Sequence, residues 1–243
     1  MSQGPKGPQG PRVDLILSSG FLGFARHLGF LRGVDELGLR AEAIMGTSSG
    51  AVVGGLYAAG HSPDAIAEML HEFRRPIARL GFSRNPLRGF FSLEKLIEFL
   101  EAQLPARFEE LERPFAVGVS DSKSQHRLIT SGPLAPAIAA SSAIPRIFQP
   151  ILLDVLDGER CVDGGVCDRV GALAYDRWRV GNEALIHRIL PSLGRELPGS
   201  LDGRRVVESP RSKASLFSLG DARAEAEESY RLTLEQLRSL AFQ

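Results

Sequence analysis

Ala41-Glu42-Ala43-Ile44-Met45-Gly46-Thr47-Ser48-Ser49-Gly50-Ala51-Val52-Val53 sets a G-x-S-x-G pentapeptide between an apolar run that reads as a strand and an Ala/Gly-rich run that reads as a helix. A serine at such a sharp strand-to-helix turn is held in a strained backbone conformation, its hydroxyl projecting beyond the sheet. Gly46 and Gly50 at the two ends leave room for the tight turn and for an approaching substrate. The helix that follows aims its unpaired N–H groups and positive dipole end at the same place, where they stabilise developing negative charge. Ser48 is therefore a candidate nucleophile. The same pentapeptide also occurs as an ordinary turn or helix cap, so its surroundings have to decide.

Upstream, Val13-Asp14-Leu15-Ile16-Leu17 reads as a buried strand, followed by the loop Ser18-Ser19-Gly20-Phe21-Leu22-Gly23 and a helix from about Phe24 to Leu37. Downstream, Cys161-Val162-Asp163-Gly164-Gly165-Val166 puts an acid at the end of a short apolar stretch, just before two glycines. Together with Ala140-Ser141-Ser142-Ala143-Ile144-Pro145, these blocks resemble the patatin-like phospholipase family in order and spacing from about Val13 to Val170. The resemblance implies a patatin-like three-layer α/β fold, with a largely parallel central sheet and helices on both faces. It also implies a Ser-Asp dyad of Ser48 and Asp163, with Gly164 and Gly165 completing the acid motif. The oxyanion hole would come from the backbone N–H groups of Gly20, Phe21, Leu22 and Gly23. The reaction so implied is hydrolysis of a fatty-acyl ester of a lipid.

The chain departs from the family at two places. The usual loop is G-G-G-x-[RK]-G, whereas here serines stand at two glycine positions and Leu22 stands where the basic residue falls. A register anchored on His27 and Gly29 shifts the loop by one residue and puts Gly23 at the basic position. Arg146 follows Ala143-Ile144-Pro145 where the family often has a small residue; it could bind an anionic head group or simply cap a surface.

Chain order alone also permits a triad of Ser48, Asp163 and His187. The simpler reading of Ala184-Leu185-Ile186-His187-Arg188-Ile189-Leu190 is a strand carrying an inward or edge histidine, and the elbow follows only the second expected strand. His27 reads as a packing or locally hydrogen-bonded residue, His61 as surface, and His71 and His126 show no ligand spacing. No paired motif at metal spacing occurs, so neither a metal nor an organic cofactor is expected.

The 243 residues suit one enzyme-sized domain, Arg12 to Gln243, behind a flexible Gly/Pro-rich tail, Met1 to Pro11. Lys+Arg and Asp+Glu are equal at 29 each. No global field therefore draws the chain to nucleic acid, and any transient contact with a membrane surface has to come from a local patch. The tail lacks the apolar run of a signal peptide, and no stretch of about 18 apolar residues is present. Cys161 and Cys167 read as reduced packing residues of a cytoplasmic protein.

Further strands are expected at Phe115–Ser120 and Arg127–Thr130, and helices at Ser49–Ala59, Pro63–Phe73, Leu93–Gln103, Leu134–Ala140 and Asp221–Leu240, with Ser62 and Ser92 as N-caps. The last helix is expected to pack its apolar positions on the sheet. Arg79 to Phe91 mixes arginine, aromatic and turn residues without a period. It reads either as a lid over a lipid cleft or as a connector whose aromatics fold back on the core. Three functions are open: a lipid acyl hydrolase, a soluble carboxylesterase or thioesterase on the same dyad, and a catalytically silent lipid-binding or regulatory protein.

Overall fold

The computed structural model describes residues 10–71, 81–82, 89–190, 194–215, 217–218 and 220–240. Ten strands run β1 (Arg12–Leu17), β2 (Arg40–Thr47), β3 (Gly81–Phe82), β4 (Phe91–Ser92), β5 (Phe115–Ser120), β6 (His126–Ile129), β7 (Ile151–Leu153), β8 (Glu159–Asp163), β9 (Ala184–Leu190) and β10 (Arg205–Pro210). The helices are α1 (Phe24–Glu36), α2 (Ser49–Ala58), α3 (Pro63–His71), α4 (Glu94–Gln103), α5 (Leu134–Ser141), α6 (Ala172–Trp178) and α7 (Ala222–Leu240). The lid or connector expected at residues 79–91 falls largely outside the described residues, as does the tail up to residue 9. Within that segment, β3 pairs antiparallel with β4. Pro11 is tied to the sheet, its carbonyl accepting from the Arg40 N–H at 2.9 Å.

The central sheet has the order β10-β9-β1-β2-β5-β8-β7, with β6 on β5. β10, β9, β1, β2 and β5 are mutually parallel, whereas β6 and β8 run antiparallel to β5 and β7 antiparallel to β8. Alternation along each strand feeds two cores. Leu15, Leu17, Ile44, Val117 and Leu185 join the main core with residues of α1 to α5. Ile16, Met45, Ala116 and Ile186 face the other way, onto Ala172 and Tyr175 of α6. The result is the three-layer arrangement, with a helical layer of very different depth on each face.

The chain leaves β1 toward β2 and β5, then returns to the other flank for β9 and β10. Strand order thus reverses at β1, and the crevice beyond the carboxyl ends of β1 and β2 is where open α/β sheets place ligands.

The last helix corrects its expectation. α7 docks mainly on α1 and only secondarily on β10. A Cβ at Gly29 would come within 2.1 Å of the Ala226 carbonyl oxygen, and one at Gly33 within 2.7 Å of Thr233 Cγ2. Two glycines one turn apart thus open a groove on α1 that admits α7. Two helix starts are as the sequence suggests. Ser62 Oγ accepts from the Ala65 N–H at 3.2 Å, and Asp221 Oδ1 from the Ala224 N–H at 2.9 Å. Ser92 is not the expected N-cap: it lies in β4, its Oγ accepts from the Glu94 N–H at 3.1 Å, and the capping position of α4 falls on Leu93, which has no side-chain cap.

Candidate active site

The Gly46–Gly50 turn lies where β2 ends and α2 begins, and Ser48 sits at φ 56°, ψ −121°. This is a left-handed conformation that a non-glycine residue holds at a cost of about 1–3 kcal/mol, so its surroundings must enforce it. They do so by close backbone approach. A Cβ at Gly46 would lie 2.4 Å from the Gly50 carbonyl oxygen, and one at Gly50 would lie 2.3 Å from that of Leu17. α2 is therefore pressed against the ends of both β1 and β2. Ser141, at the end of α5, pins the elbow from below: its Oγ accepts from the Ser48 N–H at 2.8 Å and donates to the Gly118 carbonyl at 2.6 Å.

Asp163 closes β8 beside this turn and is buried. Its Oδ1 accepts from the Gly165 N–H at 2.8 Å, and the Ser48 hydroxyl and that N–H both favour the ionised carboxylate. Burial outweighs both and pushes the Asp163 pKa up to about 6. The two glycines that follow are required by crowding. A Cβ at Gly164 would meet the Gly118 carbonyl oxygen at 2.3 Å, and one at Gly165 would meet Ser19 Oγ at 2.7 Å.

The Ser18–Gly23 loop leaves β1 across from these groups. Ser18 N–H donates to the His187 carbonyl at 3.0 Å, Ser19 N–H to that of Arg169 at 2.7 Å, and Gly23 N–H to that of Gly20 at 2.9 Å. Ser49 Oγ, buried next to the elbow, donates to the same Gly20 carbonyl at 2.7 Å. Of the four loop residues implied as oxyanion donors, Gly23 thus has its N–H engaged in a turn. The N–H groups of Gly20, Phe21 and Leu22 donate to no group among the described residues. A Cβ at Gly20 or Gly23 would come within 2.7 or 2.6 Å of Ile189 Cδ1, so a side chain beneath the loop requires glycine at both positions. Leu22 (φ 50°) and Arg146 (φ 71°), the two departures from the family pattern, both hold the left-handed backbone that favours glycine.

The contacts of His187 are with neither Ser48 nor Asp163. His187 is buried on β9, stacked on Phe30 at 4.5 Å between centroids, with Nδ1 2.8 Å from His27 Nδ1 and Nε2 2.9 Å from Ser209 Oγ. His27 Nε2 lies 3.0 Å from the Ser18 carbonyl and must be its donor. The remaining protons follow in order: His187 Nδ1–H donates to His27 Nδ1, and the Ser209 hydroxyl donates to His187 Nε2. Both rings are neutral, since burial pushes His27 down to about 3 and His187 well below its usual value. Among the others, His61 bonds the Gln103 carbonyl at 3.0 Å.

Cys161 and Cys167 are both free thiols, and burial pushes Cys161 up to about 11. No helix among the described residues is long and apolar enough to cross a membrane. The sequence reading assigned no role to Ser49, Ser141, Arg169 or Ile189. Ser141 lies inside the Ala140-Ser141-Ser142-Ala143-Ile144-Pro145 block, but its partners are 93 and 23 residues away.

The patatin-like phospholipase family profile matches residues 15–175. An uncharacterized NTE-family protein of Mycobacterium tuberculosis is 32% identical over 165 residues, covering 67% of this chain and 45% of its own length. The Neuropathy target esterase sws of Drosophila melanogaster is 24% identical over 169 residues, covering 67% of this chain and 12% of its own. This chain thus spans less than half the length of these relatives. The fold is shared with VipD from Legionella pneumophila at a TM-score of 0.54 and 14% identity, over 93% of this chain and 67% of that one. With a profile match that carries the β1 loop, the elbow and the acid motif in one span, this chain belongs to the patatin-like phospholipase family.

Proposed function

We propose that this chain is a serine acyl hydrolase that cleaves fatty-acyl esters of lipids through a dyad of Ser48 and Asp163. The observation that carries the reading is the strained Ser48 at the end of β2, where the pairing of Val119 with Asp163 follows that of Gly118 with Thr47 and sets beside it a buried carboxylate whose pKa is raised to about 6. An ordinary aspartate is a poor base near neutrality; one raised to about 6 is both ionised at pH 7 and better matched to proton transfer.

In this mechanism Ser48 Oγ attacks the acyl carbon while its proton passes to Asp163. The oxyanion is received by the N–H groups of Gly20, Phe21 and Leu22, which donate to no group among the described residues, with the N-terminus of α2 behind them. The alcohol leaves with the proton from Asp163. Water then attacks the acyl-serine, with Asp163 as base, and releases the fatty acid and Ser48. No side chain outside the dyad needs to carry a proton, and no cofactor enters. Phe90, 63% exposed at the edge of the segment read as a lid or connector, is available to a transient contact with a lipid surface. The free thiols Cys161 and Cys167 support a cytoplasmic setting.

The test is labelling by a fluorophosphonate probe, with fatty-acid release from mixed phospholipid micelles and from a short-chain nitrophenyl ester. Labelling and release by the native chain, both lost in Ser48→Ala, support the reading. Turnover of the short ester alone points to a soluble esterase. A folded native chain with neither labelling nor release is a silent member of the family and refutes the proposal.

A further inference from the structure

Arg169 lies between the acid motif and α6, is only 6% exposed, and belongs to no motif. Its charge is poorly compensated. Among the described residues the nearest carboxylate oxygen, Glu196 Oε2, is 3.9 Å from Nη1, and Nε has no hydrogen-bond partner. Removing a guanidinium from water with so weak a counter-charge is unfavourable, and an apolar residue of similar size would serve the core better. Stability therefore gives no reason for an arginine here.

What Arg169 touches supplies one. Its carbonyl accepts the Ser19 N–H at 2.7 Å, which anchors the entry of the loop just before the three N–H groups that donate to no group among the described residues. Its Nη2 donates to the Ile189 carbonyl at 2.5 Å, and Ile189 Cδ1 is the atom on which both Gly20 and Gly23 rest. Its own N–H donates to the Arg195 carbonyl at 2.7 Å, while Arg195 N–H donates to that of Gly165 at 2.9 Å, joining the residue to the acid motif. One residue thus ties together both ends of the loop and the turn after Asp163. It also holds a buried positive charge at the carbonyl of Ile189, the residue whose side chain lies beneath a loop that has Leu22 at its usual basic position.

We propose that Arg169 is a positioning residue of the oxyanion loop and that its guanidinium stands in for the basic side chain the loop lacks at Leu22. The inference rests on the hydrolase reading for its kinetic consequence, and on geometry alone for its structural one. The buried charge acts through low-dielectric protein on the oxyanion, while the two hydrogen bonds hold the donors in place before reaction.

The test compares Arg169→Gln, Arg169→Lys and Arg204→Gln. The last removes a paired arginine, bound to Asp176 at 2.6 and 3.0 Å, that has no contact with the loop. Three quantities are read: kcat and KM on an acyl ester, the rate of fluorophosphonate labelling, and amide hydrogen exchange over residues 18–23. Arg169→Gln is expected to lower kcat and labelling about tenfold or more with KM changed less than about threefold, and to speed exchange over 18–23. Arg204→Gln should do neither. Adding Leu22→Arg to Arg169→Gln should recover part of kcat, which a merely structural role does not allow. Unchanged kcat and exchange in folded Arg169→Gln overturns the proposal, and absence of any recovery overturns the exchange of charges. Where Arg169→Gln does not fold, Arg169→Lys decides by the same criteria, with a smaller loss expected. If the native chain itself neither turns over nor labels, the hydrolase reading fails while the exchange measurement still judges the positioning role.

Discussion

Asp163 sits on the edge of β5 that the strand of Ser48 gives up. β2 pairs with β5 as far as Thr47 opposite Gly118. The next residue of β5, Val119, pairs with Asp163. Since β6 pairs Val117 to Ser120 along the opposite edge, β8 must enter on the β2 side, in the space left when the chain turns at Ser48. The elbow and the acid meet because one strand ends where another, running the other way, begins to pair.

That placement makes Asp163 a destabilising group when ionised. In the unfolded chain its carboxyl ionises near 3.9, but in the fold only near about 6. Through that window the unfolded state gives up its proton first, so stability falls as pH rises, by about 3 kcal/mol in all. Asp163→Asn should abolish turnover yet raise the melting temperature at pH 7–8, with the difference from the native chain vanishing below about pH 4. The buried histidines act in the opposite direction, losing stability as pH falls below 6.5, and cancel in the comparison of the two proteins. Equal melting temperatures at pH 8 would contradict the burial argument.

Gly20 and Gly23 both face Ile189, and this predicts a specific rescue. Gly20→Ala should push the loop off Ile189 and lower kcat by roughly a hundredfold, as loss of an oxyanion donor does elsewhere. Ile189→Ala should remove the obstructing methyls at a stability cost of about 2–4 kcal/mol. The double variant should recover at least tenfold of the lost kcat. Kinetics of the three variants, each corrected for its folded fraction, decide the matter; if the double variant is no better than Gly20→Ala, the clash is not with Ile189.

His187 is predicted to matter for stability and not for chemistry. His187→Ala leaves His27 Nδ1 without its donor and opens a cavity under Phe30, costing about 2–4 kcal/mol. Labelling by a fluorophosphonate, expressed per folded molecule, should stay within about threefold of the native chain. A well-folded His187→Ala protein that does not label would restore the Ser-Asp-His triad.

The order of blocks, the elbow between β2 and α2, the acid before two glycines, and most of the main helices are legible in the chain because each is a local matter. They depend on a turn that needs glycine, a period of apolar residues, or a cap one turn before its partner. The antiparallel arrival of β8, the docking of α7 on the glycines of α1, the Ile189 floor beneath Gly20 and Gly23, and the roles of Ser141, Ser49 and Arg169 are not. Each depends on a partner 20 to 200 residues away, and its sequence neighbours carry no trace of it: serines and arginines are equally at home on a surface. His187 shows the division most plainly. Its position in a strand follows from the pattern around it. Whether its imidazole meets an aspartate or another histidine is decided only when β9 lies beside β1 and brings His27 within 2.8 Å.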